Sequence, residues 1–189
     1  MQSKIQIRKI KKEEFKDAVK ILDAEIGERR ARGSKFLSNK YKKYPQFFFG
    51  LFLNGELIGV VGGFPREDYL LMSELAIDSR FHRRGFGGRL VTAFEKIAKV
   101  KYNKINVGAE NNAIGFYNFL NYTPFLLIQF KKKDYSLNDF EKFNIFRKRK
   151  VKGYTTLDIK TKKAELKEID RLKKKYPKAH IQYIFTKKI

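Results

Sequence analysis

The residues best placed to do chemistry lie between Ser73 and Lys99, in the stretch SELAIDSRFHRRGFGGRLVTAFEKIAK. A strand pattern runs into an arginine-rich turn, then Gly85-Phe86-Gly87-Gly88, then an amphipathic helix. That order builds an anion site. A helix N-terminus carries unpaired backbone N–H groups and a partial positive charge. Glycines let the backbone approach a pyrophosphate with no Cβ in the way. Arg83, Arg84 and Arg89 add charge-assisted contacts. The plain alternative is a glycine-rich turn with solvated arginines. The loop is not a P-loop, since no Gly-Lys-Ser/Thr follows, and the strands before it form a hairpin and meander rather than a dinucleotide-binding βαβ unit. No cluster of His, Asp and Glu has metal-ligand spacing, and the chain has no cysteine. Neither a metal, a disulfide framework nor a Cys nucleophile is expected.

The elements that must position this loop follow from apolar spacing. Ile5 and Ile7 alternate with polar neighbours over Lys4 to Lys9, a half-buried strand. Phe15, Ala18, Val19, Leu22 and Ile26 share one helical face over Glu13 to Ile26, and Gly27 ends that helix. Residues 29 to 44 are basic and partly helical, stopped by Pro45. Gln46 to Leu53 and Glu56 to Phe64 read as strands joined by Asn54-Gly55, a dipeptide suited to a tight hairpin. Tyr69 to Ile77 is the next strand and Gly88 to Val100 the helix after the loop. A strand at Lys104 to Ala109, a short helix at Asn112 to Leu120 and a strand at Phe125 to Lys132 complete the order β-α-α-β-β-β-α-β-α-β. That order implies a mixed α/β fold, its sheet mostly antiparallel and flanked by helices.

The loop and its strand resemble the signature of the GNAT superfamily of acyl-CoA-dependent N-acyltransferases. Leu75-Ala76-Ile77 stands at the family's Leu-x-Val, and His82-Arg83-Arg84-Gly85-Phe86-Gly87 at its Arg/Gln-x-x-Gly-x-Gly/Ala, with His82 as the departure. Downstream, GAENNAIGFYNFLNYTPF from Gly108 to Phe125 is similar to the family's Asn…Ala-Ile-x-Phe-Tyr segment. Asn111 or Asn112, Ala113, Ile114, Phe116 and Tyr117 fit it. Asn121-Tyr122 replaces the usual Gly-Phe, a mild change because Asn tolerates a left-handed turn. The resemblance covers residues 1–133, an acetyltransferase domain, and leaves 134–189 as a basic C-terminal α/β extension.

The resemblance implies a mechanism. Acetyl-CoA is the cosubstrate, and its contacts are expected from Leu75, Ala76, Ile77, His82, Arg83, Arg84, Gly85, Phe86, Gly87, Gly88, Asn111, Asn112, Phe116 and Tyr117. The strands at Tyr69 to Ile77 and Lys104 to Ala109 splay, and the pantetheine arm pairs with the first like an added strand. A backbone N–H near Ile77 polarises the thioester carbonyl. An amine, on a protein N-terminus, a lysine or a small molecule, attacks directly once neutral. Tyr117 stands where the family places the proton donor for the departing thiolate, the alternative being a core aromatic. Glu74 is the candidate base, although strand alternation puts it opposite Ser73 and Leu71, so that a bulge would be needed. Glu67, Asp68 or a water chain are alternatives, Tyr69 can line the pocket, and His180 reads as structural. Phe36, Tyr41, Tyr44 and Phe47 would line the acceptor side.

Composition bounds the partners. The 189 residues carry a formal charge of +23 and 42% hydrophobic residues, enough for a packed domain with an attractive field for anions. Such a field disfavours polycationic acceptors. It equally suits a lysine-rich, merely solvated surface. No apolar run reaches the ~18 residues of a membrane span, and the N-terminus has no signal-peptide pattern, so a cytoplasmic protein without membrane contact is expected. Residues 134–189 hold 17 Lys and Arg against 7 Asp and Glu. In this tail Leu137, Phe140, Phe143 and Phe146 suggest a helix, Tyr154 to Ile159 a strand, Leu166, Ile169 and Leu172 a helix, and His180 to Thr186 a strand. The tail is expected to dock on the sheet or on a second copy in a homodimer. Its Arg147-Lys148-Arg149-Lys150 and Lys173-Lys174-Lys175 runs, interleaved with Phe143, Phe146, Tyr154 and Tyr176, leave open an anionic macromolecule as partner, whether nucleic acid or an acidic protein. A catalytically silent CoA-binding module is the third reading.

Overall fold

The computed structural model describes residues 4–27 and 33–189. Residues 29–32, the start of the segment expected to be basic and partly helical, lie outside the described residues. Two compact units result, one from the N-terminal part to Ile105 with Lys188–Ile189, the other Asn106–Lys187.

The first unit carries β1 (Ile5–Lys9), α1 (Phe15–Ile26), α2 (Gly33–Lys43), β2 (Phe48–Leu53), β3 (Glu56–Pro65), β4 (Leu70–Ile77) and α3 (Phe86–Ala98). Its strands pair antiparallel in the order β1-β2-β3-β4. The β2–β3 hairpin turns at Asn54 and Gly55, with φ of 52° and 91°, the left-handed pair that a two-residue turn demands. The apolar stripe of α1 and α2 buries Ala18, Leu22, Leu37 and Tyr41 against Phe48, Val60 and Ala76. A fully buried leucine such as Leu22 contributes about 1.5–3 kcal/mol. The opposite parity of β3 meets α3, where Leu90 and Phe94 approach Gly59 and Gly63. Helices therefore cover both faces of this sheet.

The second unit carries the end of β5 (Lys104–Gly108), α4 (Ile114–Phe119), β6 (Thr123–Lys131), β7 (Ile145–Val151), β8 (Tyr154–Lys160), α5 (Leu166–Lys175) and β9 (His180–Lys188). β9 lies between β5 and β6, and the order continues through β8 to β7. β6 is thus bonded on both edges by strands of the tail, antiparallel to β8 and to β9. The composition shift at Asp134 is therefore not where the compact units divide. Tyr183, Phe185, Ile128 and Phe130 bury one face, on which α4, α5 and Phe140 pack.

The helix expected from Leu137 to Phe146 does not form. A short 3-10 turn spans Asn138–Phe140, and β7 begins at Ile145. The spacing explains why. At about 100° per residue, a strict period of three puts Leu137 and Phe146 on opposite sides of any helix. Phe140 instead stacks on Phe130 and packs at a tilt against Tyr176, each at 4.7 Å. The same drift leaves Leu166 47% exposed on α5 while Ile169 and Leu172 are buried.

Candidate functional site

β4 alternates along its length: Leu70, Met72, Glu74 and Ala76 are buried, while Leu71, Ser73, Leu75 and Ile77 are half-buried. Glu74 therefore does lie opposite Ser73. The ladder to β3 slips between them, because Gly62 opposes Glu74 and Gly63 opposes Met72, leaving Ser73 as the extra residue of a bulge. Past the bulge the direction of the backbone is fixed. The Asp78 N–H donates to Ile58 of β3. In an antiparallel pair that bond alternates with residue number, so the N–H groups of Leu75 and Ile77 point to the other edge of β4. The carbonyl of Ile77 points the same way, since it accepts from His82 Nε2 at 2.6 Å.

The turn after β4 is tied down from α1. Glu25 accepts from the Ser79 N–H at 2.8 Å and stands 3.4 Å from His82 Nε2. Asp78 caps the 3-10 turn Ser79–Phe81 by accepting from the Arg80 N–H, and the Arg80 guanidinium holds its carboxyl below the ordinary range. His82 is thus turned toward the end of β4. Arg83 and Gly85 follow with φ of 59° and 76°. Gly85 is the N-cap of α3 and brings no side-chain cap, so the first N–H groups of the helix stay available. α3 begins at Phe86, two residues earlier than its spacing predicts, because buried Phe86 anchors the first turn. Gly87 and Gly88 lie in that turn, half-buried, with Arg83, Arg84 and Arg89 exposed around it. Backbone donors and guanidiniums in this arrangement fit a pyrophosphate.

In the second unit, Asn111 and Asn112 are exposed on a 3-10 turn leading into α4. They line an open groove of about 540 Å³ with Ile114, Gly115 and Ala164 to Lys167. Phe116 is half-buried. Tyr117 is 4% exposed, with ring centroids at 5.2 Å from Phe116, 5.6 Å from Tyr122 and 5.4 Å from Phe185. Burial pushes its phenol well above the ordinary value, so the hydroxyl keeps its proton. Asn121 takes the left-handed turn expected of it, φ 59°.

Other candidates fare differently. Asp68 is paired with Lys104 at 2.6 Å. Tyr41 and Phe47 are core residues rather than acceptor-side ones: Tyr41 donates to the Ile10 carbonyl, and Phe47 is 3% exposed against Tyr102. Sequence reasoning missed the Glu25 tie, 54 residues from Ser79, and the buried Asn106, whose Oδ1 has no hydrogen-bond partner. No pattern marks either one. Among the described residues no three His, Cys, Asp or Glu side chains converge to hold a metal, and no helix is long and apolar enough to cross a membrane.

Residues 6–122 match the family model for the acetyltransferase (GNAT) family. No curated protein sequence matches the chain. Among solved structures, it is similar to a GNAT family acetyltransferase from Elizabethkingia anophelis with acetyl-CoA bound, at 14% identity and TM-score 0.56, covering 98% of each chain. An IAA acetyltransferase from Bacillus cereus gives 16% identity and TM-score 0.56, covering 98% of this chain and 100% of that one. A putative acetyltransferase from Pyrococcus horikoshii gives 14% identity and TM-score 0.55 over 77% of this chain, which spans 50% of that protein. At these identities the likeness is one of fold.

Proposed function

Because the chain belongs to the GNAT family of acetyltransferases, we propose that it transfers the acetyl group of acetyl-CoA to a primary amine, on a protein N-terminus, a lysine or a small molecule. The observation that carries this reading is the side of β4 away from β3, toward which the Leu75 and Ile77 N–H groups point, running into the N-terminus of α3 that brings no side-chain cap. Leu75 and Ile77 present N–H groups there at the spacing of an added strand, which suits the amide-bearing pantetheine arm. The bound cosubstrate supplies an activated thioester.

The chain's own groups divide the remaining work. The turn from Arg83 to Gly88 neutralises the pyrophosphate. The Ile77 N–H polarises the carbonyl oxygen, and His82 holds the next peptide along the chain through the Ile77 carbonyl. The amine nitrogen bonds to the acyl carbon as the C–S bond breaks. Tyr117 gives its proton to the sulfur and is restored by the second proton, which the nitrogen sheds after it has bonded to the acyl carbon. Glu74, buried beside the bulge, takes the proton lost by the ammonium, directly or through water. Calorimetric titration with acetyl-CoA, followed by thiol release across a panel of primary amines, tests the reading. Binding plus stoichiometric thiol and acetylated amine is expected. Absence of acetyl-CoA binding by folded protein would end it.

A further inference from the structure

Both helices of the second unit pack on the Tyr183 face of its sheet; among the described residues of this unit no helix covers the other face, where Leu127, Gln129 and Gln182 are partly exposed. Gln182 of β9, Leu127 of β6, Asp158 of β8 and Arg147 of β7 oppose one another in one row across it. Gln182 and Leu127 are partly exposed, and Gln182 Nε2 donates to the Ala109 carbonyl at the end of β5, 3.4 Å away. At the far end Asp158 is fully buried beneath two guanidiniums. It accepts from Arg147 Nε at 2.5 Å and from Arg149 Nη2 at 2.7 and 2.9 Å. Each arginine side chain remains more than a third exposed, and Arg149 Nε is buried without a partner. Beside them Gln129 donates to Thr156, and exposed Phe146 stands edge-on to Phe125 at 5.5 Å.

One carboxylate needs one cation to be neutralised. Two fixed guanidiniums leave a surplus positive charge and unused fork donors, already ordered by Asp158, which is the arrangement that recognises a second carboxylate. The spacing sets the size of its owner. Four strand intervals separate β7 from β5, about 19 Å at ~4.8 Å each. Resting on the transferase reading, in which β5 borders the reacting thioester, a small amine cannot reach both. An extended polypeptide covers that span in about six residues.

We propose that this face docks a polypeptide acceptor, with Arg147 and Arg149 binding an acidic side chain about six residues from the amine that is acetylated. Nucleic acid fits less well. Arg147 and Arg149 share the face of Asp158, while Lys148 pairs with Leu157 on the other parity, so the basic run is split between two faces.

The test uses the full chain and C-terminally labelled peptides with a free amino terminus, neutral apart from one glutamate moved from position 2 to position 10. Fluorescence anisotropy reads docking and thiol release reads transfer. Affinity should peak near position 6 or 7, at least tenfold above the all-neutral peptide, and fade with salt. The triple variant Arg147→Gln, Arg149→Gln, Asp158→Asn leaves no buried charge unpaired. It should lose that preference through a raised KM, with kcat and acetyl-CoA affinity unchanged. Arg147→Lys with Arg149→Lys should retain part of it. Affinity independent of glutamate position, wild-type preference in the folded triple variant, or displacement by single-stranded RNA would overturn the proposal. Thiol release from neutral peptides alone would leave the transferase reading standing without it. Glutamate-dependent, arginine-dependent docking with no thiol release would keep the docking face and sink the transferase reading.

Discussion

Replacing Gly87 by aspartate separates the fold from the function of the α3 N-terminus. Gly87 is the second residue after the Gly85 cap, half-buried, in a first turn without an acidic residue. A carboxylate there complements the helix dipole, worth about 0.3–1 kcal/mol, and aspartate has a better helix propensity than glycine. Stability should therefore hold or rise slightly. Binding should move the other way. A pyrophosphate of charge about −2, taken at roughly 6 Å from the new carboxylate with an effective dielectric of about 40–80, is repelled by about 1.4–2.8 kcal/mol. That is a tenfold to hundredfold rise in Kd for acetyl-CoA. Calorimetry at low and high salt reads it, and the excess of Gly87→Asp over uncharged Gly87→Asn should shrink as salt rises. A Kd within threefold of wild type in a folded Gly87→Asp protein would refute the placement of the pyrophosphate at this turn.

Other outcomes follow from the same geometry. Tyr117→Phe keeps the packed ring and removes the proton donor, so kcat should fall about 100- to 10,000-fold with acetyl-CoA affinity unchanged. An unchanged kcat would return Tyr117 to the core. The raised phenol also predicts a pH effect: above about pH 10 the unfolded chain loses a proton that folded Tyr117 keeps, so stability falls as pH rises. Tyr117→Phe should lack that one-proton share of the slope in denaturant titrations from pH 9 to 11. A chain ending at Lys133 strips both edges of β6 and uncovers Phe130 and Ile128, and should aggregate on expression. A soluble, equally stable product would show that the tail strands are dispensable.

What the sequence determined by itself is what local stereochemistry decides. Asn54-Gly55 takes a left-handed turn because few other pairs can, Asn121 does so for the same reason, and the stripe of Leu90, Val91 and Phe94 makes α3 amphipathic whatever it packs on. The glycine turn before that helix was legible as a turn into a helix N-terminus without a side-chain cap, because that depends only on residues a few positions apart. The tertiary structure alone decided which distant groups meet. Tyr41 and Phe47 look like any surface aromatics until α2 and β2 bury them. Glu25 reaches Ser79, 54 residues on, through chain folding that no residue spacing encodes. The tail shows the limit most clearly: apolar residues at intervals of three leave helix and strand open. β7 became a strand because β8 offered it an unpaired edge, and β9 came to lie between β5 and β6, where its backbone bonds are satisfied on both sides.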